Sequence, residues 1–189
     1  MSNDRLSNVT QAYLHAYYLI LDTMVKRMTS VQLTYSISNN FIQQMIPHHQ
    51  AAIEMSKNIL KYTTNLEVQE IATNIISSQT QSIANMQAVQ PTCSMQMNND
   101  LELSIYMREF EMIAQTMFYE MRSAPVTNGV NANFLREMIP HHEGAVRMSN
   151  NALQFTICPG LKPILHAIII SQSEGIRQME HLLRHLDNC

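Results

Sequence analysis

Two histidine pairs, His48-His49 and His141-His142, sit in the same pentapeptide, Met-Ile-Pro-His-His, and each is followed by a methionine seven residues after its first histidine. On a helix, positions three and four apart share a face, so Met45, His48 and His49 converge, with Met55 further along the stripe. Met138, His141, His142 and Met148 repeat that arrangement. Imidazole and thioether donors make a soft-to-borderline set that suits copper, Cu(I) above all. Magnesium, calcium and manganese prefer oxygen. Cu(II) is compatible with the imidazoles, and silver is the expected mimic. Met86 and Met179 occupy matching positions in a later segment and complete the candidate ligand list. Met24, Met28, Met117 and Met121 match in an earlier one. Methionine at such spacing also serves as plain core filler. The paired histidines are what favour a metal.

These side chains need elements to hold them, and the chain writes those elements twice. FIQQMIPHHQAAIEMSKNIL from Phe41 aligns without gaps to FLREMIPHHEGAVRMSNNAL from Phe134, an offset of 134 − 41 = 93, with 11 of 20 positions identical. The same offset carries Gln79 onto Gln172, Ile83 onto Ile176 and Met86 onto Met179. Residues 1–92 and 98–189 read as two copies of one unit in one compact body, joined by a polar stretch from Thr92 to Asp100. Each unit reads as three helices. The first spans Leu6 to Tyr35, or stops near Ser30, and its counterpart runs from about Asn99 to Arg122. The second carries the histidine pair, with Ser38 to Asn40 and Asn131 to Asn133 offering capping oxygens. Its seam is Phe41, Met45, His48, Ala52, Met55 and Ile59, a bundle spacing rather than a strand pattern. Pro47 and Pro140 either kink this helix, each freeing a carbonyl, or mark its first turn.

Other residues carry weaker signals. Gln79 and Gln172 could orient a histidine from the third helix. His181 and His185 lie four apart, but the first unit lacks the pair, which favours an exposed face. Cys93, Met95 and Met97 alternate in the joining stretch, where a mobile loop is expected. Tyr13, Tyr17 and Tyr18 are expected to pack the first helix. Three cysteines without a Cys-x-x-Cys pair indicate neither a disulfide framework nor a thiolate zinc site, and suggest a reducing compartment.

Composition removes several classes. A net charge of −3 with no basic cluster excludes a typical nucleic-acid binder. No apolar run approaches the ~20 residues that span a bilayer, so no membrane partner is expected. No secretion signal is visible, so a cytoplasmic location is expected, or an extracytoplasmic one where a signal has been removed. A ferritin-like metal-dependent oxidase would need Glu-x-x-His pairs, and the chain has none. No nucleophile–base arrangement replaces them, so no enzyme is expected. A metal-free structural or interaction bundle, or a homo-oligomer of one, is the competing reading.

The motif F-x-x-x-M-I-P-H-H-x-x-A-x-x-M, followed by a helix ending Q-x-x-x-I-x-x-M, resembles the family called domain of unknown function 305. The resemblance spans both halves and implies an all-α, ferritin-like helical bundle built from two tandem three-helix repeats. It also implies copper binding, with a role in sequestration or homeostasis, for Met45, His48, His49, Met55, Met138, His141, His142 and Met148. Two departures stand out. An acidic residue common before the motif's Phe is Asn40 or Asn133 here, and the family's Glu after the Gln is present as Glu174 but replaced by Gln81 in the first unit.

Overall fold

The protein is all-α. A computed structural model describes residues 6–187, and the described residues form six helices and no strand. They are α1 (Asn8–Thr29), α2 (Ile37–Ile59), α3 (Leu66–Cys93), α4 (Asp100–Arg122), α5 (Val130–Ala152) and α6 (Lys162–Asp187). Cys189 lies outside the described residues. The central pair is α2 and α5. α2 packs on α1, α3 and α5, α5 packs on α4, α6 and α2, and α3 also meets α6.

Local chemistry explains the helix starts. Ser7, Ser36, Asn65 and Asn99 each accept a backbone N–H three residues on, and Asn99 forms a reciprocal capping box with Glu102. The first helix therefore ends at the earlier of its two expected limits, with Ser30 as its C-cap. The caps of the motif helices differ from expectation. Ser36 caps α2, and Gly129 precedes α5 without a side-chain cap. Asn40 and Asn133 instead brace the preceding loops. Asn40 Oδ1 accepts the Thr34 backbone N–H at 2.8 Å while its Nδ2 donates to the Thr34 carbonyl at 2.9 Å. Asn133 does the same with Thr127 at 2.9 and 2.8 Å. An acidic residue there would accept but not donate.

Both prolines lie inside their helices, ten residues beyond the first residue of α2 and of α5, which removes the first-turn alternative. The expected seam from Phe41 to Ile59 is buried throughout. Ten of the 15 methionines, at 24, 28, 45, 55, 86, 117, 121, 138, 148 and 179, are no more than 2% exposed. Burial of each contributes about 1.5–3 kcal/mol. Gly144 makes room for one of them, since a side chain there would collide with the Met117 thioether.

The cysteines correct the sequence reading. Cys93, the last residue of α3, forms a disulfide with Cys158 in the loop before α6, with Cα atoms 5.1 Å apart. The loops around it are tied by Ser38 Oγ, which accepts the Cys158 N–H at 2.9 Å, and by Ser36 Oγ, which donates to the Cys93 carbonyl at 3.0 Å. No helix is long and apolar enough to cross a membrane among the described residues.

Candidate metal centre

Where α2 meets α5, the four motif histidines come together. The rings of His48 and His141 stack with centroids 3.6 Å apart. His49 lies 5.8 Å from His48 and His142 lies 5.9 Å from His141, centroid to centroid. His48 Nε2–H donates to the His141 carbonyl at 3.1 Å, and His141 Nε2–H donates to the His48 carbonyl at 3.1 Å. A carbonyl can only accept, so Nε2 of both rings carries the proton and Nδ1 keeps its lone pair. The Nδ1 atoms of His48 and His141 are buried without a hydrogen-bond partner, as is that of His49, whereas the His142 ring donates to the Met138 carbonyl one turn back. An unmet buried lone pair is costly, on the order of 1–3 kcal/mol each, unless something uses it.

The four rings are neutral. Burial takes His49 down to about 3 and His142 to about 4, from an ordinary value of 6.5. Burial also holds His48 and His141 well below that value, and the neighbouring rings add to the effect. At neutral pH no proton competes with a cation for the free ring nitrogens, and a soft, weakly hydrated monovalent ion loses least on entering such an apolar site.

Thioethers are abundant in the core of the same bundle. Met45, Met55, Met86, Met138, Met148 and Met179 all belong to the same buried core and are no more than 1% exposed. No group of three or more His, Cys, Asp or Glu side chains is arranged to hold a metal among the described residues. The remaining candidates lie elsewhere. The ring nitrogens of His181 and His185 approach to 3.2 Å on the exposed face of α6, and Met95 and Met97 are 71% and 61% exposed. Gln79 is buried, yet neither its Oε1 nor its Nε2 has a partner, so it does not orient a histidine as expected.

Three features at the site were absent from the sequence reading. Ser82 lies against His49, Oγ to Nε2, at 3.1 Å. At the position 93 residues on, Gly175 faces His142. Glu137, beside Met138, is buried and accepts a 2.5 Å hydrogen bond from the Tyr13 hydroxyl. Burial raises its carboxyl to about 8, partly opposed by that bond. Its counterpart Gln44 (137 − 93 = 44) is also buried, with Oε1 unpartnered, and so is the hydroxyl of Tyr106, the counterpart of Tyr13. The 93-residue register pairs these positions, but only the packing reveals that they are buried polar groups.

Fold and centre together define a helical bundle whose two middle helices bury an imidazole and thioether core. The chain belongs to the family described as domain of unknown function DUF305, which matches residues 38–183. It is similar to the crystal structure of a DUF305 fragment from Deinococcus radiodurans, at 25% identity and a TM-score of 0.57, covering 79% of this chain and 96% of that one. It is also similar to CopM in an Ag-bound form, at 29% identity and a TM-score of 0.59, covering 82% and 98%. Against CopM in the Cu(I)-bound form the identity is 29% and the TM-score 0.58, covering 82% and 99%. A comparison with curated proteins gives no match.

Proposed function

We propose that the protein binds a soft metal ion, Cu(I) foremost and Ag(I) as its mimic, for sequestration or homeostasis rather than catalysis. The observation that carries this reading is the neutral, buried histidine quartet, with unpartnered Nδ1 lone pairs on the stacked His48 and His141. His48, His49, His141 and His142 supply nitrogen, and sulfur comes from Met45, Met55, Met138, Met148, Met86 and Met179. Cu(II) fits the imidazoles alone. The similarity to CopM, whose structures carry Ag, Cu(I) and Cu(II), supports copper as cargo. The Cys93–Cys158 bond favours an oxidising compartment over the cytoplasm, because such bonds are rare where thiols are kept reduced.

An anaerobic Cu(I) competition titration tests the reading. Wild-type protein binds, and replacement of the four histidines by Ala weakens binding at least tenfold. Unchanged affinity in a folded quadruple variant refutes it. A second reading rests on the reciprocal His48–His141 bonds, which also suit a metal-free bundle that uses imidazoles to lock α2 to α5. Protein isolated without an affinity tag and found free of metal, with no uptake on titration, favours that reading.

A further inference from the structure

The two histidine pairs differ in one respect that bears on how an ion reaches them. In the first half, His49 Nε2 is covered by the Ser82 hydroxyl at 3.1 Å. In the second half the corresponding position is Gly175 (175 − 82 = 93), and no side chain takes the place of that hydroxyl. A cleft of about 380 Å³ opens there between α3 and α6, and His142, Gln172, Glu174 and Gly175 line it. Ser78 and Gln178, both exposed, form part of its walls, so its mouth lies at the surface. The cleft is far larger than the space a single water needs, so a small hydrated ion fits within it. His142 is 3% exposed, whereas His48, His49 and His141 are fully buried. With the ring proton on Nδ1, directed to the Met138 carbonyl, the Nε2 lone pair of His142 faces this cleft beside Gly175.

We propose that the cleft at Gly175 is the port through which the metal ion enters the core, with His142 Nε2 as the first protein atom to ligate it. This rests on the soft-metal reading above. The step is a ligand exchange: the imidazole lone pair forms a bond to the ion as one incoming ligand leaves, with no change of oxidation state. The ion then passes inward to the stacked His48–His141 pair. In the first half the Ser82 hydroxyl lies against His49 Nε2 in place of such an opening onto the ring nitrogen. A side chain at Gly175 would bring its Cβ to 3.1 Å from His142 Cδ2 and 3.3 Å from Nε2, close enough to cap the ring as Ser82 caps His49.

Two variants and two measurements test the port. Without metal, brief carbethoxylation by diethyl pyrocarbonate, read by peptide mass spectrometry, modifies His142 ahead of His48, His49 and His141. Gly175→Ser slows labelling of His142, and Ser82→Gly makes His49 reactive. With Cu(I) delivered as its bicinchoninate complex, Gly175→Ser slows loading at least tenfold. It slows removal by bathocuproine disulfonate in parallel, since a port limits both directions, whereas loss of a ligand would speed release. Ser82→Gly, which opens a second route, accelerates loading. Labelling and loading rates unchanged in both variants, with wild type still binding Cu(I), overturn the port and leave the metal reading intact. A wild type that takes up no Cu(I) overturns both.

Discussion

Replacing Glu137 by Gln makes the protein more stable at neutral pH, and the gain depends on pH in a way the structure fixes. The carboxyl is buried on α5 against Tyr13, and burial raises it from 4.5 to about 8. A carboxyl raised on folding contributes fully below its unfolded value, and that contribution is lost as pH rises from 4.5 through 8. At pH 7 the folded protein must hold a proton that the unfolded chain has released, at a cost of about 3 kcal/mol. Gln removes this penalty and still accepts the Tyr13 hydrogen bond through its amide oxygen. The 93-residue counterpart is already Gln44. Between pH 5 and pH 7 the stability difference, variant minus wild type, widens by about 2–3 kcal/mol in favour of the variant. Urea unfolding followed by far-ultraviolet circular dichroism at both pH values reads this directly, and the absence of tryptophan makes helix content the natural probe. A difference that stays constant from pH 5 to pH 8 refutes the buried, protonated state of Glu137.

The histidines give the opposite dependence. Burial depresses His49 and His142, so their contribution is present above 6.5 and is lost as pH falls toward 3–4. In the Glu137→Gln background, acidification from pH 7 to pH 5 therefore costs about 2 kcal/mol for each of the two, measured by the same urea titration. Replacing Met45 and Met138 together by Leu lowers Cu(I) affinity at least tenfold in the competition titration and leaves Cu(II) binding in place. The near-equal volume of the swap keeps the loss of fold stability below about 1.5 kcal/mol per site. Reducing the Cys93–Cys158 bond, which closes a 65-residue separation, costs about 4 kcal/mol on the chain-entropy estimate. It appears as a lower urea midpoint in reductant.

The seam from Phe41 to Ile59 was legible in the sequence because each of its positions obeys a helical spacing, and burial along α2 follows that spacing. The histidine quartet was half legible. Spacing puts His48 beside Met45 on one helix, but the stacking of His48 on His141 depends on how α2 crosses α5, which no local pattern encodes. Ser82 and Gly175 look like ordinary substitutions between two similar segments until the facing rings are known. The Cys93–Cys158 bond was missed for a related reason. With the cysteines 65 positions apart, only the packing of α3 against the loop before α6 brings them within bonding reach. The caps were misplaced by two residues or more, because several Ser and Asn residues cluster at each start and the one that caps is decided by the loop geometry that Asn40 and Asn133 hold.

The exchanged bonds between His48 and His141 carry a consequence for ancestry. Each ring is satisfied only by the main chain of the other half, so a lone three-helix unit would expose an apolar face and leave its imidazole N–H without a partner. Two such units could meet that need by pairing as separate molecules, but then the centre would form only as concentration allowed. Joining them through the six residues from Ser94 to Asn99 turns an encounter between molecules into one within a molecule, at an effective concentration on the order of millimolar or above. The centre then forms in every copy, however dilute. Once fused, the two halves are also free to diverge, so a glycine can arise on one side while its serine twin persists on the other.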